Sequence, residues 1–276
     1  MNRRNLSRIR IPLHGARAAA RAPDRTLTRR GWLFVLGGYM LAMIAFGIAL
    51  DPSPGLLRGW LRILTSPGML VSDYVEIGGP GAAFCNAGLV GLAGLLLAAW
   101  QGMSLSGPIV AAVFTMAGFG LFGKNVWSIW PIIAGVALFS RVARRPFKGY
   151  ILVALFGTAL SPLVTQVAFG LGLPLWAGLA LSLLLGVGVG TILPPLAVYM
   201  LRLHQGYNIY NVGLTCGFLG LFITALLNSV GLPTDLPFHW DEAHSQILGA
   251  ATLVCVLSMV GLGLYLTRSS SGLRRL

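Results

Sequence analysis

Acidic residues are nearly missing from this chain: seven Asp and Glu stand among 276 residues, against twenty Lys and Arg. Charged residues of both signs make up only 10%, less than half of the roughly 25% found in ordinary soluble domains. A water-soluble fold with so few charges would present apolar surface on every side. Hydrophobic residues fill 56% of positions and mean hydropathy is +0.79, so the solvent this composition fits is lipid. Cysteine is scarce as well. Cys85, Cys216 and Cys255 fall inside apolar stretches, which excludes a disulfide framework or a zinc spacing and leaves them as small buried hydrophobes. Carboxylates are absent from every apolar stretch; Asp73 and Glu76 lie just before one. Proton-driven pumps keep a carboxylate or histidine relay inside the membrane, so this absence favours facilitated diffusion or a channel. No His-Glu-x-x-His, Ser/Lys dyad or paired intramembrane Asp occurs, and the chain is read as a non-enzyme without a cofactor. His239, Asp241, Glu242 and His244 form the only metal-like cluster, but their order fits no zinc pattern and no metal site is expected.

What is present is a series of long apolar runs. Gly31 to Leu50 is uncharged over twenty residues, about 30 Å of helix and the thickness of the hydrocarbon layer. Further runs cover about 83–100, 104–122, 126–139, 149–170, 174–201, 211–231 and 247–267. The expected fold is an all-α, polytopic transmembrane bundle of about eight segments. The run 126–139 is too short to span alone, which leaves 104–139 open as two spans or as a re-entrant pair. Gly186, Gly188 and Gly190 make a small-residue face for helix packing, and Pro194-Pro195 should kink or break that helix.

The basic residues orient the bundle. The first thirty positions hold nine Arg against Asp24 alone. With Gly31–Leu50 leaving the cytoplasm, eight crossings put seventeen of the twenty Lys and Arg inside, and Arg58, Arg62 and Lys124 outside. The domain division is therefore a basic cytoplasmic tail over 1–30, a transmembrane domain over 31–267 and a second basic tail over 268–276. The Arg-rich tail is read as topogenic rather than as a nucleic-acid arm, and Gly47–Asp51 offers no good signal-cleavage site.

A repeat carries the functional reading. Phe84-Cys85-Asn86-Ala87-Gly88-Leu89 and Ile209-Tyr210-Asn211-Val212-Gly213-Leu214 share apolar-x-Asn-x-Gly-Leu. Gly118-Phe119-Gly120-Leu121-Phe122 follows the first and Gly261-Leu262-Gly263-Leu264-Tyr265 the second. On the assigned topology the two units, about 69–140 and 204–267, run in opposite directions, the pattern of transporters with a site where inverted repeats meet. Gly78-Gly79-Pro80-Gly81 and His204-Gln205-Gly206-Tyr207-Asn208 precede them as irregular backbone. Asn86, Asn211, Lys124, Asn125, Asn208 and Tyr207 are the candidate substrate-binding residues. The alternative is that Asn86 and Asn211 cap their helices while the tyrosines sit in the interfacial belt. The neutral intramembrane set Thr115, Ser128, Ser161, Thr165, Gln166, Thr191 and Asn228 is expected mostly to bridge helices.

Gly118 to Lys124 spells G-x-x-x-x-G-K, but Asn125 replaces the required Ser or Thr and no strand precedes it, so nucleotide binding is excluded. Lys124 then either snorkels at an outer mouth, the reading favoured here, or lies at depth in a re-entrant pair, where it would need a function or a partner.

The motifs Gly78-Gly79-x-Gly81-Ala82-Ala83-Phe84-x-Asn86, Gly118-Phe119-Gly120-x-Phe122-Gly123-Lys124-Asn125 and His204 to Asn211 resemble a bacterial family, domain of unknown function 1576, over about residues 69–265. The resemblance implies an inner-membrane protein of duplicated units and supplies no catalytic residues. More distantly, the chain is similar to urea transporters, which also combine two inverted halves. The second unit lacks the Gly-Lys element of the first and is read as shortened by truncation or a frameshift, which leaves the product either non-functional or completed by homo-oligomerisation.

The expected function is a transporter or channel for a small neutral polar solute in a bacterial inner membrane, both termini cytoplasmic. The alternative is a membrane scaffold, sensor or assembly factor recruited through its basic arm. Lipid is the expected partner; nucleic acid is not.

Overall fold

A computed structural model describes residues 28–267, except 53, 69–71, 105, 209 and 233–239. Eleven α-helices and short irregular helices account for nearly all of it; no strand forms among the described residues, and one isolated antiparallel bridge joins Asp73 and Phe122. Thr28–Leu248 makes one compact unit, and the chain from Gly249 falls in a second.

Six helical stretches are long and apolar enough to cross a membrane: α1 (Arg29–Leu50), α4 (Pro80–Trp100), the broken helix Phe147–Gly170, α9 (Leu175–Leu203), α10 (Asn211–Ser229) and α11, which runs Ser245–Thr267. The chain is an integral, multi-pass membrane protein. α5 (Gly107–Phe119) and α6 (Ile129–Val142) have 13 and 14 residues, about 20 Å each, and neither spans alone. The expected eight segments thus resolve into six spans and one hairpin.

Two short helices precede α4. α2 (Gly55–Thr65) is strongly amphipathic, and α3 (Tyr74–Gly78) starts on Asp73, whose side chain accepts from Val75 N. Between α3 and α4, Gly79 takes φ +87° and Pro80 opens α4, so the glycine-rich stretch is the irregular backbone expected of it. Pro194-Pro195 does not break α9, which runs helical through both. Membrane helices tolerate such prolines because neighbours and local adjustments take up the freed carbonyls.

Close approach by glycine sets the helix pairs. Gly47 of α1 lies against Gly81 and Cys85 of α4, and Gly88 and Gly91 of α4 lie against Met40 of α1, so α1 and α4 are antiparallel. Gly186 and Gly190 of α9 meet Pro131, Ile132 and Gly135 of α6 in parallel, while Gly188 faces open space. Antiparallel pairing continues with Gly157 near Leu193 and Gly178 near Ala168, which turns the broken helix against α9.

These pairings sort the charges of this unit. One end carries Arg29, whose guanidinium donates to Ala99 O, and Lys148, whose amine donates to Gly102 O; Arg30, Arg141, Arg144, Arg145 and Arg202 share that end with no acid. The other end holds Asp51, Asp73, Glu76, Asp241 and Glu242 with Arg58 and Arg62. The N–H of Asp241 donates to Asp73 Oδ2 there.

Candidate functional site

The hairpin of α5 and α6 enters and leaves at the basic end, and its tip stops inside the unit. α5 runs antiparallel to α4, with Met116 beside Gly94, Ala117 beside Gly91 and Gly120 beside Ala87. At the tip Gly123 takes φ +80°, and the N–H of Lys124 donates back to Phe119 O. α2 and α3 close over this turn: Asn125 Nδ2 donates to Ile63 O, Trp127 Nε1 to Leu64 O, and the N–H of Tyr74 to Leu121 O.

Asn86 holds both shoulders of the turn. Its Nδ2 donates to Gly120 O at 2.7 Å and to Lys124 O at 2.8 Å, while Oδ1 is buried without a partner. It sits in the seventh position of α4 and is no helix cap, because Pro80 starts the helix six residues earlier. Asn125 and Ser128 close the next turn on each other: Ser128 N–H donates to Asn125 Oδ1 and Asn125 N–H to Ser128 Oγ.

Lys124 is wholly buried, not a rim residue snorkelling to an outer mouth. Its amine donates to Thr158 Oγ1 at 2.8 Å and lies 5.1 Å from the centroid of the Phe119 ring. Thr158 Oγ1 in turn donates to Leu155 O. Thr158 is the twelfth of the 24 residues in Phe147–Gly170, so the lysine amine meets this span at half its length. The only ion pair among the described residues is His244 with Asp241, and Lys124 has no carboxylate beside it. Carrying an ammonium to the middle of a membrane costs about 2.5–3.5 kcal/mol even on insertion scales.

The span breaks where the lysine touches it. Pro162 has no N–H to give the carbonyl of Thr158, and residues Thr158–Leu160 tighten into a 3-10 turn in which Ser161 N–H takes that carbonyl instead. Ser161 Oγ is buried and unpartnered. A π-helical turn follows over Gln166–Gly170.

Beside this break lies a cavity of about 440 Å³. Phe119, Leu160, Leu163 and Gln166 line one side; Cys216 and Gly220 of α10 line the other. Phe119 therefore serves both the ammonium and the cavity.

The six expected site residues divide into two groups. Asn86, Lys124 and Asn125 come together at the hairpin tip. Asn211, Asn208 and Tyr207 belong to the turn between α9 and α10 at the basic end. There His204 Nδ1 accepts from the N–H groups of Gly206 and Asn208, so Nε2 donates to Asn211 Oδ1 at 2.8 Å; Asn211 Nδ2 donates to Ala197 O. Tyr207 is exposed. Asn211 is the first residue of α10, six positions earlier in its helix than Asn86 in α4. Gly261 and Gly263 lie inside an unbroken α11, whereas Gly120 caps α5. α4 and α10 do run in opposite directions, since α10 lies parallel to the broken span, with Tyr210 on Phe156 and Gly220 near Leu160.

Thr158, Phe119 and Cys216 were not singled out by motif. Thr158 had one sequence signal, its place four residues before Pro162. Of the neutral polar set, Thr191 does bridge helices, donating to Gly135 O, but Thr165 bonds within its own helix. Among the described residues no three metal-ligating side chains cluster, and His239 lies outside them.

The family model described as "Protein of unknown function (DUF1576)" matches residues 53–229. The match takes in α2 and ends with α10, starting earlier and stopping sooner than the 69–265 expected. No curated protein and no solved structure matches the chain, so the likeness to urea transporters finds no counterpart there.

Proposed function

From the premise that this chain belongs to the family described as protein of unknown function, DUF1576, we propose that it is a transporter or channel for a small polar solute. One observation carries the reading: a lysine buried at the half-length of a spanning helix, where that helix breaks beside a cavity of about 440 Å³. Polar groups inside a membrane are costly and are kept where something polar must pass or bind. Non-helical backbone at membrane depth is tolerated where it lines a cavity. The opposite directions of α4 and α10 support an inverted pair, with the asparagines in different registers.

The basic end of the described unit is assigned to the cytoplasm of a bacterial inner membrane, on the positive-inside rule. Six spans then return the chain to the side on which it starts. A scaffold or sensor role makes no use of the buried centre.

The test is thermal stabilisation of detergent-purified protein by a panel of urea, amides, polyols and small organic anions. A stabilising solute whose effect disappears in Gly217→Trp supports the reading. Gly217 lines the cavity, and nothing lies within 4 Å of a Cβ there, so a large side chain is built at the cavity without a clash at its root. A folded protein that no member of the panel stabilises would count against transport.

A further inference from the structure

We infer that the solute is an organic monoanion, a carboxylate with a small apolar body, whose charge pairs with Lys124; this rests on the transport reading above. The argument starts from charge. Lys124 is buried with Thr158 Oγ1 and the Phe119 ring as the partners of its amine, and no carboxylate among the described residues accompanies it. A neutral hydroxyl and a ring face compensate a desolvated ammonium only in part. A cation would be repelled from such a centre, and a neutral solute would leave the cost of the buried charge standing. A dianion would replace one uncompensated charge with another. A single negative charge makes the pair neutral in a medium where charge is expensive.

Shape gives the rest of the class. The cavity of about 440 Å³ is far larger than an inorganic anion and falls in the range of small-molecule sites. Leu160, Pro162, Leu163 and the Phe119 ring make its lining mostly apolar. Ser161, flanked in sequence by two lining residues, carries a buried hydroxyl without a partner and can donate to a second carboxylate oxygen. Phe119 touches both the ammonium and the cavity. It is tilted against Phe122 at 5.2 Å between centroids, and a bound carboxylate takes over its place at the amine. Lys124 and Ser161 stand behind the cavity lining, so on this proposal the Phe119 ring turns aside as the gate between the apolar compartment and the charge.

The experiment has two arms. In detergent, formate, pyruvate and benzoate, which share one carboxylate and differ in bulk, are compared with urea and with succinate as stabilisers. In proteoliposomes, uptake of labelled pyruvate and labelled urea is measured for wild type, Lys124→Met, Lys124→Arg and Gly217→Trp. The expected result is saturable pyruvate uptake with urea at the level of protein-free vesicles. Lys124→Met lowers that uptake about thirtyfold or more, because a buried charge pair loses one partner. Lys124→Arg recovers part of it, and Gly217→Trp blocks the bulkier ligands while the protein stays folded. Urea carried in place of pyruvate, or full pyruvate uptake in Lys124→Met, overturns the anion assignment and leaves transport standing. No uptake and no stabilisation by any solute in folded wild-type protein overturns both.

Discussion

Lys124 Nζ and Thr158 Oγ1 meet at 2.8 Å, joining the tip of a helical hairpin to the middle of the span that it packs against. Neither residue carries a compensating charge, and Thr158 has already given its own proton to Leu155 O. The buried ammonium therefore costs stability, and the cost can be measured.

Lys124→Met should raise stability. Methionine fills similar volume, and Thr158 keeps its bond to Leu155 O, so nothing polar is orphaned. The desolvation cost removed is about 2.5–3.5 kcal/mol, against about 1 kcal/mol lost from a hydrogen bond and about 1 from the ring contact. The net gain is about 1 kcal/mol, read as a higher unfolding midpoint in detergent. A drop of similar size would make the lysine a structural strut.

Asn86→Ala should do the opposite. It strips the donor from Gly120 O and Lys124 O, both buried. Two orphaned carbonyls cost about 2–6 kcal/mol together. The unfolding midpoint falls, and α5 and α6 become protease-sensitive before α1. Asn86→Ala as stable as wild type would mean the hairpin is held by packing alone.

The hairpin has a topological signature. In a cysteine-free background, Gln101→Cys and Arg145→Cys lie at its two feet and Phe122→Cys at its tip. An impermeant maleimide applied outside intact cells should label none of the three, and opening the cytoplasmic face should expose the feet only. Labelling of Phe122→Cys from outside would restore two full spans.

α2 should lie along the membrane surface. Leu57 and Leu61 are exposed one turn apart, Arg58 and Arg62 are exposed beside them, and Gly59 and Ile63 face α3 and α4. That is the arrangement of an interfacial helix, with leucines in the acyl boundary and arginines at the headgroups. Spin labels at 57 and 61 should collide with oxygen, and those at 58 and 62 with a polar nickel reagent. Equal water exposure at all four positions would remove α2 from the surface.

The membrane class and the span limits could be read from the sequence because hydrophobic length is a local property. Gly31–Leu50 and α1 differ by two residues at the start. The depth of Lys124 could not, since a Gly-Lys-Asn turn between two short apolar runs suits an outer loop as well as a buried tip. What decides it is Thr158, 34 residues on, and Asn86, 38 residues back, and no periodicity reports such contacts. α2 is hidden from a hydropathy average because Arg58 and Arg62 pull down any window over it, and only the four-residue spacing of Leu57 and Leu61 signals it. Asn86 and Asn211 looked equivalent because a six-residue match says nothing of where a helix starts. Pro80 sets the start of α4 six residues before Asn86, and nothing comparable precedes Asn211.

Asn86 ties the hairpin tip to α4 at two carbonyls, and α4 is itself locked to α1 by glycines at four levels. The lysine is thus a fixed post rather than a swinging arm. A protein that must show such a post to one compartment and then to the other cannot do so by moving it. On the proposed transport reading, the exchange would fall to the wall opposite, where Leu221 and Phe222 of α10 stand exposed and little packing would be broken by a shift. Alternation here would be the work of a sliding shutter in front of a stationary charge.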